Sequence, residues 1–486
     1  MASARIDAAR IDAAQTDGAS IDTANDAAPS GTPDAQLGRV SDNLPFTPSG
    51  LRLGSIALRT WIYSDTGPKR TRYGYLRAGS IVDARGPAMK NEGCPGGWYR
   101  INPRGFVCVG MGATLELNHP VLVAANIRPV RKAGLPYLYA KAGKTPPYFY
   151  FRLPSVAQMQ ASEGERVTAR AAVFRERALA SGLKSEPPPE FLQGGRKLEK
   201  PYGSKEGLHF SAHSGQAAPD SGFSITRVID WQNRLFGLTT ELELLALDRT
   251  KLVVPSQFHG VELGPDEGLP VGFVEPRFAP KYVLNSRAEL VQQGAFEYRE
   301  GLKLTGAHKP GAMLEAAGGV WVPESVLRKI APRTSFPSVA TGDRKWIDIS
   351  IRDQTLVAYV GRRPVYVTLV STGRGGMGDP ETTLSTVRGS FMIYQKDTSS
   401  TMDGEQDSAA DSYALRDVPF VQYFHKGFAL HGTYWHDEFG RVRSHGCVNL
   451  SPVDAAWLFE WTDPSVPPDW HGVINKDRGT VVFIRP

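Results

Sequence analysis

His431-Gly-Thr-Tyr-Trp-His436-Asp-Glu-Phe-Gly-Arg-Val-Arg-Ser444-His445-Gly446-Cys447-Val448-Asn449-Leu450 places three histidines and one cysteine within twenty residues. A thiol is a strong nucleophile only as thiolate, so it needs a base or a positive field nearby. Ser-His-Gly-Cys supplies such parts. Gly446 lets the backbone turn tightly and approach a bound carbonyl, and the amides around Cys447 then offer an oxyanion hole. In an extended chain His445 and Cys447 point to one face. His431, one loop upstream, can return beside the thiol as general base. Two other readings stand beside this one. His431, His436, His445 and Cys447 could ligate zinc, although the spacing matches no compact zinc pattern and no second cysteine is near. The bland reading is a buried thiol with surface histidines.

The same residues resemble a known signature. His431-Gly-Thr followed by Ser444-His445-Gly446-Cys447-Val448-Asn449-Leu450 is similar to the active-site motif of the L,D-transpeptidase (YkuD-type) catalytic domain. The resemblance extends over about residues 343–486. It takes in Lys345-Trp-Ile-Asp348, Gln354-Thr-Leu-Val-Ala-Tyr359, Val370-Ser-Thr-Gly373 and Asp417-Val-Pro-Phe420. It implies a β-sandwich with Cys447 as nucleophile, His431 as proton donor and acceptor, and His445 in support. The expected activity is a peptidoglycan L,D-transpeptidase that passes through a cysteine thioester on tetrapeptide stems, releases D-alanine and forms 3→3 cross-links. Alternatives within the fold are an L,D-carboxypeptidase or a protein-to-wall anchoring enzyme; outside catalysis, a wall-binding protein. No cofactor or metal is expected. The Gly446 backbone is the expected oxyanion donor, Ser444, Arg443 and Asn449 are candidate substrate contacts, and His436 is set aside as structural. The family motif Thr-Pro-x-Gly is matched by Thr386-Val387-Arg388-Gly389 without its proline, so an adaptable loop is expected there.

The chain of 486 residues, with net charge +6 and pI near 9.0, allows two to four domains. No basic run suggests a nucleic-acid partner. No stretch of about 18 apolar residues suggests a membrane span, and no signal peptide is visible. The family nevertheless implies the periplasm or cell envelope, so a leader or lipid anchor is expected ahead of this sequence. Of three cysteines, Cys94 and Cys108 are a candidate disulfide, which leaves Cys447 free.

Residues 1–45 repeat Arg-Ile-Asp-Ala-Ala and read as a disordered linker. Residues 50–118 alternate short apolar runs with Gly and Pro turns. They resemble a bacterial SH3-like barrel, in which Tyr63, Tyr73, Tyr75, Trp98 and Tyr99 either line a groove for glycan strands or fill the core. Residues 119–335 are mixed, with a helical insertion at 162–181. A possible second SH3-like unit is signalled by an echo of the first, Phe296-Glu-Tyr-Arg-Glu-Gly-Leu with Gly319-Val-Trp-Val. In the catalytic region Ile347, Ile349 and Ile351 alternate with polar residues as a half-buried strand. Residues 397–412, with carboxylates at Asp397, Asp403, Glu405, Asp407 and Asp411, read as a polar loop and candidate lid. Ser451-Pro452-Val453-Asp454 starts a short helix running to about Trp461. The predicted fold class is therefore mainly β and multidomain: SH3-like units and one helical insertion, then a sandwich with a helix after the active site.

Overall fold

The structure, a computed structural model, describes residues 49–132, 134–205, 210–404 and 413–486. The linker expected at 1–45 and the end of the candidate lid lie outside the described residues. The chain is mainly β. Its first seven strands are β1 (Leu51–Ser55), β2 (Thr60–Tyr63), β3 (Arg72–Leu76), β4 (Ile81–Asn91), β5 (Cys94–Ile101), β6 (Phe106–Cys108) and β7 (Ala113–Thr114). They pair in the order β3-β2-β6-β5-β4-β1-β7, all antiparallel. Cys94 and Cys108 are disulfide-bonded, with Cα atoms 5.8 Å apart. Tyr75, Trp98 and Tyr99 are buried, so three of the five aromatics considered for a groove fill the core.

After a short helix α1 (Pro120–Ala124) the pattern recurs. Strands β8 (Leu138–Ala142), β9 (Tyr148–Tyr150), β10 (His213–Gln216), β11 (Gly222–Trp231), β12 (Arg234–Thr239), β13 (Leu244–Ala246) and β14 (Thr250–Leu252) pair as β10-β9-β13-β12-β11-β8-β14. Strand by strand this is the order of the first unit. Two helices, α2 (Val156–Glu163) and α3 (Val167–Ala180), interrupt it between β9 and β10. The single helix expected at 162–181 is therefore two, broken at Gly164, whose φ of +88° lies outside the helical region. A connecting strand β15 (Val261–Glu262) leads to a third unit. It holds β16 (Val271–Val274), β17 (Ala279–Leu284), β18 (Leu290–Phe296), β19 (Gly301–Lys309), β20 (Met313–Ala316), β21 (Val320–Pro323) and β22 (Leu327–Ile330). The order is again the same, β18-β17-β21-β20-β19-β16-β22. Three units of one topology thus precede the C-terminal domain. The echo aligned only in part. Gly319-Val-Trp-Val and Gly105-Phe-Val-Cys both open the sixth strand of a unit, whereas Phe296 closes a third strand and Trp98 lies in a fifth.

The C-terminal domain contains β23 (Lys345–Ser350), β24 (Thr355–Val360), β25 (Arg363–Leu369), β26 (Gly389–Met392), β27 (Gln395–Gly404), β28 (Tyr413–His425), β29 (Phe428–Gly432), β30 (Val448–Leu450), α4 (Pro452–Trp461), β31 (Gly472–Ile474) and β32 (Val481–Arg485). One sheet runs β15-β25-β24-β23-β32-β26 and the other β31-β27-β28-β29-β30. Ile347, Ile349 and Leu356 of the first sheet meet Phe420, Leu430 and Val448 of the second, with Leu458 and Phe459 of α4, in one core. Ser451 caps α4 by accepting from the Asp454 amide, and Pro452 takes its first position. Two expectations fail here. β23 is buried on both faces: the carboxylate of Asp348 is covered by Arg333 at 2.6 Å and Arg485 at 3.2 Å. Residues 397–404 are strand, not loop, and Asp397 is fully buried. The uniformly polar run Asp-Thr-Ser-Ser-Thr carries no strand alternation, yet Asp397, Thr398, Ser399 and Ser400 are all buried, so both faces of the strand lie in the interior.

The preceding units seat on this domain by extending its sheets. β3 pairs with β31 (Gly74 with Val473), β11 meets β28 in parallel (Gly222 with Leu415), and β15 caps β25 (Val261 with Val367). A buried carboxylate sits where the first two units meet the C-terminal domain. Asp417 receives Arg77 of unit one, Ser224 and Thr240 of unit two, and Ser399 of β27 at 2.7 Å. These partners hold its pKa far below the usual carboxylate range, against the opposing pull of burial. Asp417→Ala leaves the Arg77 guanidinium buried and unpaired. We expect a loss of about 3–5 kcal/mol in stability, measured as a lowered urea midpoint.

Candidate active site

The site is assembled by one parallel strand pair. β29 and β30 align Leu430 with Val448, His431 with Asn449 and Gly432 with Leu450. One step earlier the same register sets Ala429 beside Cys447. Because side chains alternate, Cys447, Asn449 and His431 share a face. Lateral neighbours two residues out of step have Cβ atoms roughly 7–8 Å apart, a gap that an imidazole and a thiol can span.

His431 is buried, and its Nδ1–H donates to the Gly432 carbonyl at 3.0 Å. That bond fixes the tautomer and leaves Nε2 as the proton acceptor. Burial pushes the ring down to about 4, and pushes the Cys447 thiol up to about 11 against a small opposing pull from the Ala429 amide. The resting pair is therefore neutral thiol and neutral imidazole. The Trp435 ring lies 5.7 Å from that of His431. Tyr434 stands edge-on to Trp435 and 4.4 Å from Tyr139 of unit two. Cys447 belongs to one apolar cluster with Tyr139, Tyr423 and Tyr434, flanked by Tyr137 and Val253. Unit two thus adds Tyr139 to the cluster that holds Cys447, in contact with Tyr434. Its strand β11 comes close because position 222 is glycine: a Cβ there would lie 2.1 Å from the Tyr434 hydroxyl.

The turn before the nucleophile is tied internally. The Ser444 hydroxyl accepts from the Gly446 amide at 3.0 Å and donates to the Cys447 carbonyl. The Gly446 amide, expected to face an oxyanion, is therefore engaged, and Ser444, expected at substrate, shapes the turn instead. Gly446 has φ +132°, and a Cβ there would meet Phe428 at 2.8 Å, so the geometry requires glycine. Thr386 Oγ1 accepts from the Gly373 amide at 2.9 Å and donates to the Gly446 carbonyl at 2.7 Å. The loop that lacks the family proline is held by this threonine. Arg443 pairs with Glu438 at 2.8 Å on the surface. His445 Nε2 accepts from Arg374 at 2.5 Å, and burial with the Arg374 charge lowers its pKa. His436, set aside from sequence, lies 3.0 Å from the Asn449 amide. Arg374 and the unit-two tyrosines carried no local signal, because each comes from a distant segment; Thr386 stood in the matched motif, but its bond to Gly446 did not show there. Among the described residues no group of His, Cys, Asp and Glu is arranged to hold a metal ion.

Residues 344–484 match the L,D-transpeptidase catalytic domain of the YkuD family. No curated protein matches the chain. Solved structures that do include the L,D-transpeptidase of Xylanimonas cellulosilytica, at 25% identity over 31% of this chain and 65% of that one (TM-score 0.21). The Enterococcus faecium L,D-transpeptidase matches at 19% identity over 30% and 50% (TM-score 0.23), and that of Mycobacterium smegmatis at 20% over 48% and 100% (TM-score 0.24). The chain thus spans under two thirds of the first two, and these scores say nothing of its overall arrangement. The L,D-transpeptidase domain holds both His431 and Cys447.

A neutral pair makes a prediction. A thiol raised by burial gains thiolate only as pH climbs toward its folded value. Iodoacetamide labelling of Cys447, followed by intact mass, should accelerate roughly tenfold per pH unit between about pH 6 and pH 9. A plateau below neutrality would reveal a preformed thiolate–imidazolium pair instead.

Proposed function

We propose that this protein is a peptidoglycan L,D-transpeptidase working through a Cys447 thioester. The observation that carries the reading is the β29–β30 register, which sets a tautomer-fixed imidazole and the free thiol on one face. Cys447 attacks the carbonyl between the third and fourth residues of a tetrapeptide stem. His431 Nε2 takes the thiol proton as sulfur bonds to carbon, then delivers it to the nitrogen of the departing D-alanine. With the Gly446 amide engaged by Ser444, the oxyanion is assigned to the amide of Cys447 itself. An acceptor amine then attacks the thioester, His431 removes its proton, and a 3→3 cross-link forms as the thiol is restored. Arg374, held by the neutral His445 ring, places positive charge beside the turn that carries Cys447.

The three repeated units are read as SH3-like modules that brace the catalytic domain. The pairings of the first two units with β31 and β28, and the Arg299–Asp437 ion pair of the third, support a bracing role, and the burial of Tyr75, Trp98 and Tyr99 speaks against a glycan groove in the first. The Cys94–Cys108 disulfide fits an oxidising compartment such as the cell envelope. Among the described residues no helix is long and apolar enough to cross a membrane.

Cys447→Ala should lower cross-linking of purified tetrapeptide by at least about a thousandfold and abolish the covalent carbapenem adduct seen by intact mass. Dimeric muropeptide formed at an undiminished rate by the variant would end the nucleophile assignment.

A further inference from the structure

Asn449 is buried, and its backbone is fully occupied: its amide donates to Ser371 at 2.8 Å and its carbonyl accepts from Ser371 at 2.9 Å. Its side chain is free for other work. One end of the carboxamide meets His436 Nε2 at 3.0 Å, and the other has no partner among the described residues. The imidazole decides which end is which. The Glu438 amide donates to His436 Nδ1 at 3.2 Å, so the neutral ring carries its proton on Nε2. A ring N–H facing an amide NH2 is a clash of donors. Turned by 180°, the carboxamide accepts from His436 through Oδ1, and the unpartnered end becomes the NH2. Burial, Arg443 and His431 all press His436 down to about 4, so it stays neutral under working conditions.

The register puts this NH2 group beside His431, two residues past the nucleophile on the same face. Thr433, two residues after His431, also has a buried hydroxyl without a partner among the described residues. Buried donors are paired in folded proteins unless a ligand completes them. His431 handles the protons of the leaving and entering amines, so an oxygen reaching Asn449 belongs to the amine side of the scissile bond.

We infer that His436 is a positioning residue that turns the Asn449 NH2 toward the cleft, where it donates to an oxygen of the residue leaving as amine. The inference rests on the transpeptidase reading and adds a specificity contact to it. The residues after the ring are held in turn from outside the domain: Asp437 accepts from Arg299 of the third unit at 2.7 Å and from Ser256, in the segment ahead of β15, at 2.6 Å, and Phe439 stacks on Phe258 of that segment.

The test compares full-length wild type, Asn449→Ala, His436→Phe and His436→Gln on a stem tetrapeptide ending in a carboxylate and on its C-terminal amide. Acyl-enzyme formation is followed by intact mass, and Cys447 alkylation by iodoacetamide reports an intact site. Asn449→Ala should lower kcat/KM about 10–100-fold and His436→Phe about tenfold, with alkylation unchanged. His436→Gln, whose Nε2 can still donate to the Asn449 oxygen, should restore most of the rate. Losses confined to the acid substrate place the contacted oxygen on the terminal carboxylate; equal losses on both place it on a peptide carbonyl. His436→Phe acylating like wild type overturns the inference, as does His436→Gln failing alongside His436→Phe. Wild type that forms no acyl-enzyme at all refutes the transpeptidase reading instead.

Discussion

The buried carboxylate of Asp417 is the constraint around which the molecule is arranged. An isolated charge cannot be buried at this depth, so its partners must all arrive together: Arg77, Ser224, Thr240 and Ser399 come from two repeated units and the catalytic domain. Tyr139 adds a bond to the Asp417 carbonyl at 2.5 Å. The next residue back, Arg416, spans to Glu243 at 2.7 Å and Glu241 at 3.0 Å of unit two. Both lie on β28, which pairs with β29, the strand of His431. The fit between units is therefore transmitted to the His431 strand through one hairpin, and the same network excludes alternative seatings of the units, each of which would strand a charge.

What the sequence disclosed follows from how local each signal is. The motif from His431 to Leu450 is contiguous, and parallel pairing of its two ends suffices to bring base and nucleophile together. α4 was legible because capping chemistry sits within four residues. The alternation at Ile347, Ile349 and Ile351 misled, since Asp348 is solvated not by water but by Arg333 and Arg485, one from a linker and one from the chain terminus. The strand at 397–404 was hidden for the same reason: its polar side chains find partners elsewhere in the chain. Gly446 was read as the residue that lets the chain turn tightly and Ser444 as a substrate contact; that the Ser444 hydroxyl closes the turn is a matter of geometry that composition does not carry. The echo at Phe296 and Gly319-Val-Trp-Val pointed to the unit at 271–330, whereas the unit at 138–252 escaped because topology repeats without sequence repeating.

The resting site is dry. Cys447 is 7% exposed and His431 3%. In such surroundings both prefer the neutral form. A buried neutral thiol is also shielded from oxidants, since reactivity follows thiolate content and access. Tyr139 of unit two packs on Tyr434 in the same apolar cluster as Cys447, so a module outside the domain adds to the cluster around the thiol.

The first and third units show why a repeated fold suits this task. In each, an arginine stands in the turn between the third and fourth strands, Arg77 in one and Arg299 in the other, two residues before a glycine. Each reaches out of its unit to an aspartate of the catalytic domain, Arg77 to Asp417 and Arg299 to Asp437 at 2.7 Å. The two aspartates lie on either side of His431 in the sequence. Asp417 anchors the strand that pairs with the base strand, and Asp437 anchors the loop that leads from the base to the nucleophile. One structural position, used twice, thus holds the catalytic strand at its back and the catalytic loop at its far end. Register alone sets the thiol and imidazole on a common face; these two ion pairs, one fully buried and one at the rim, limit how far that face can shift.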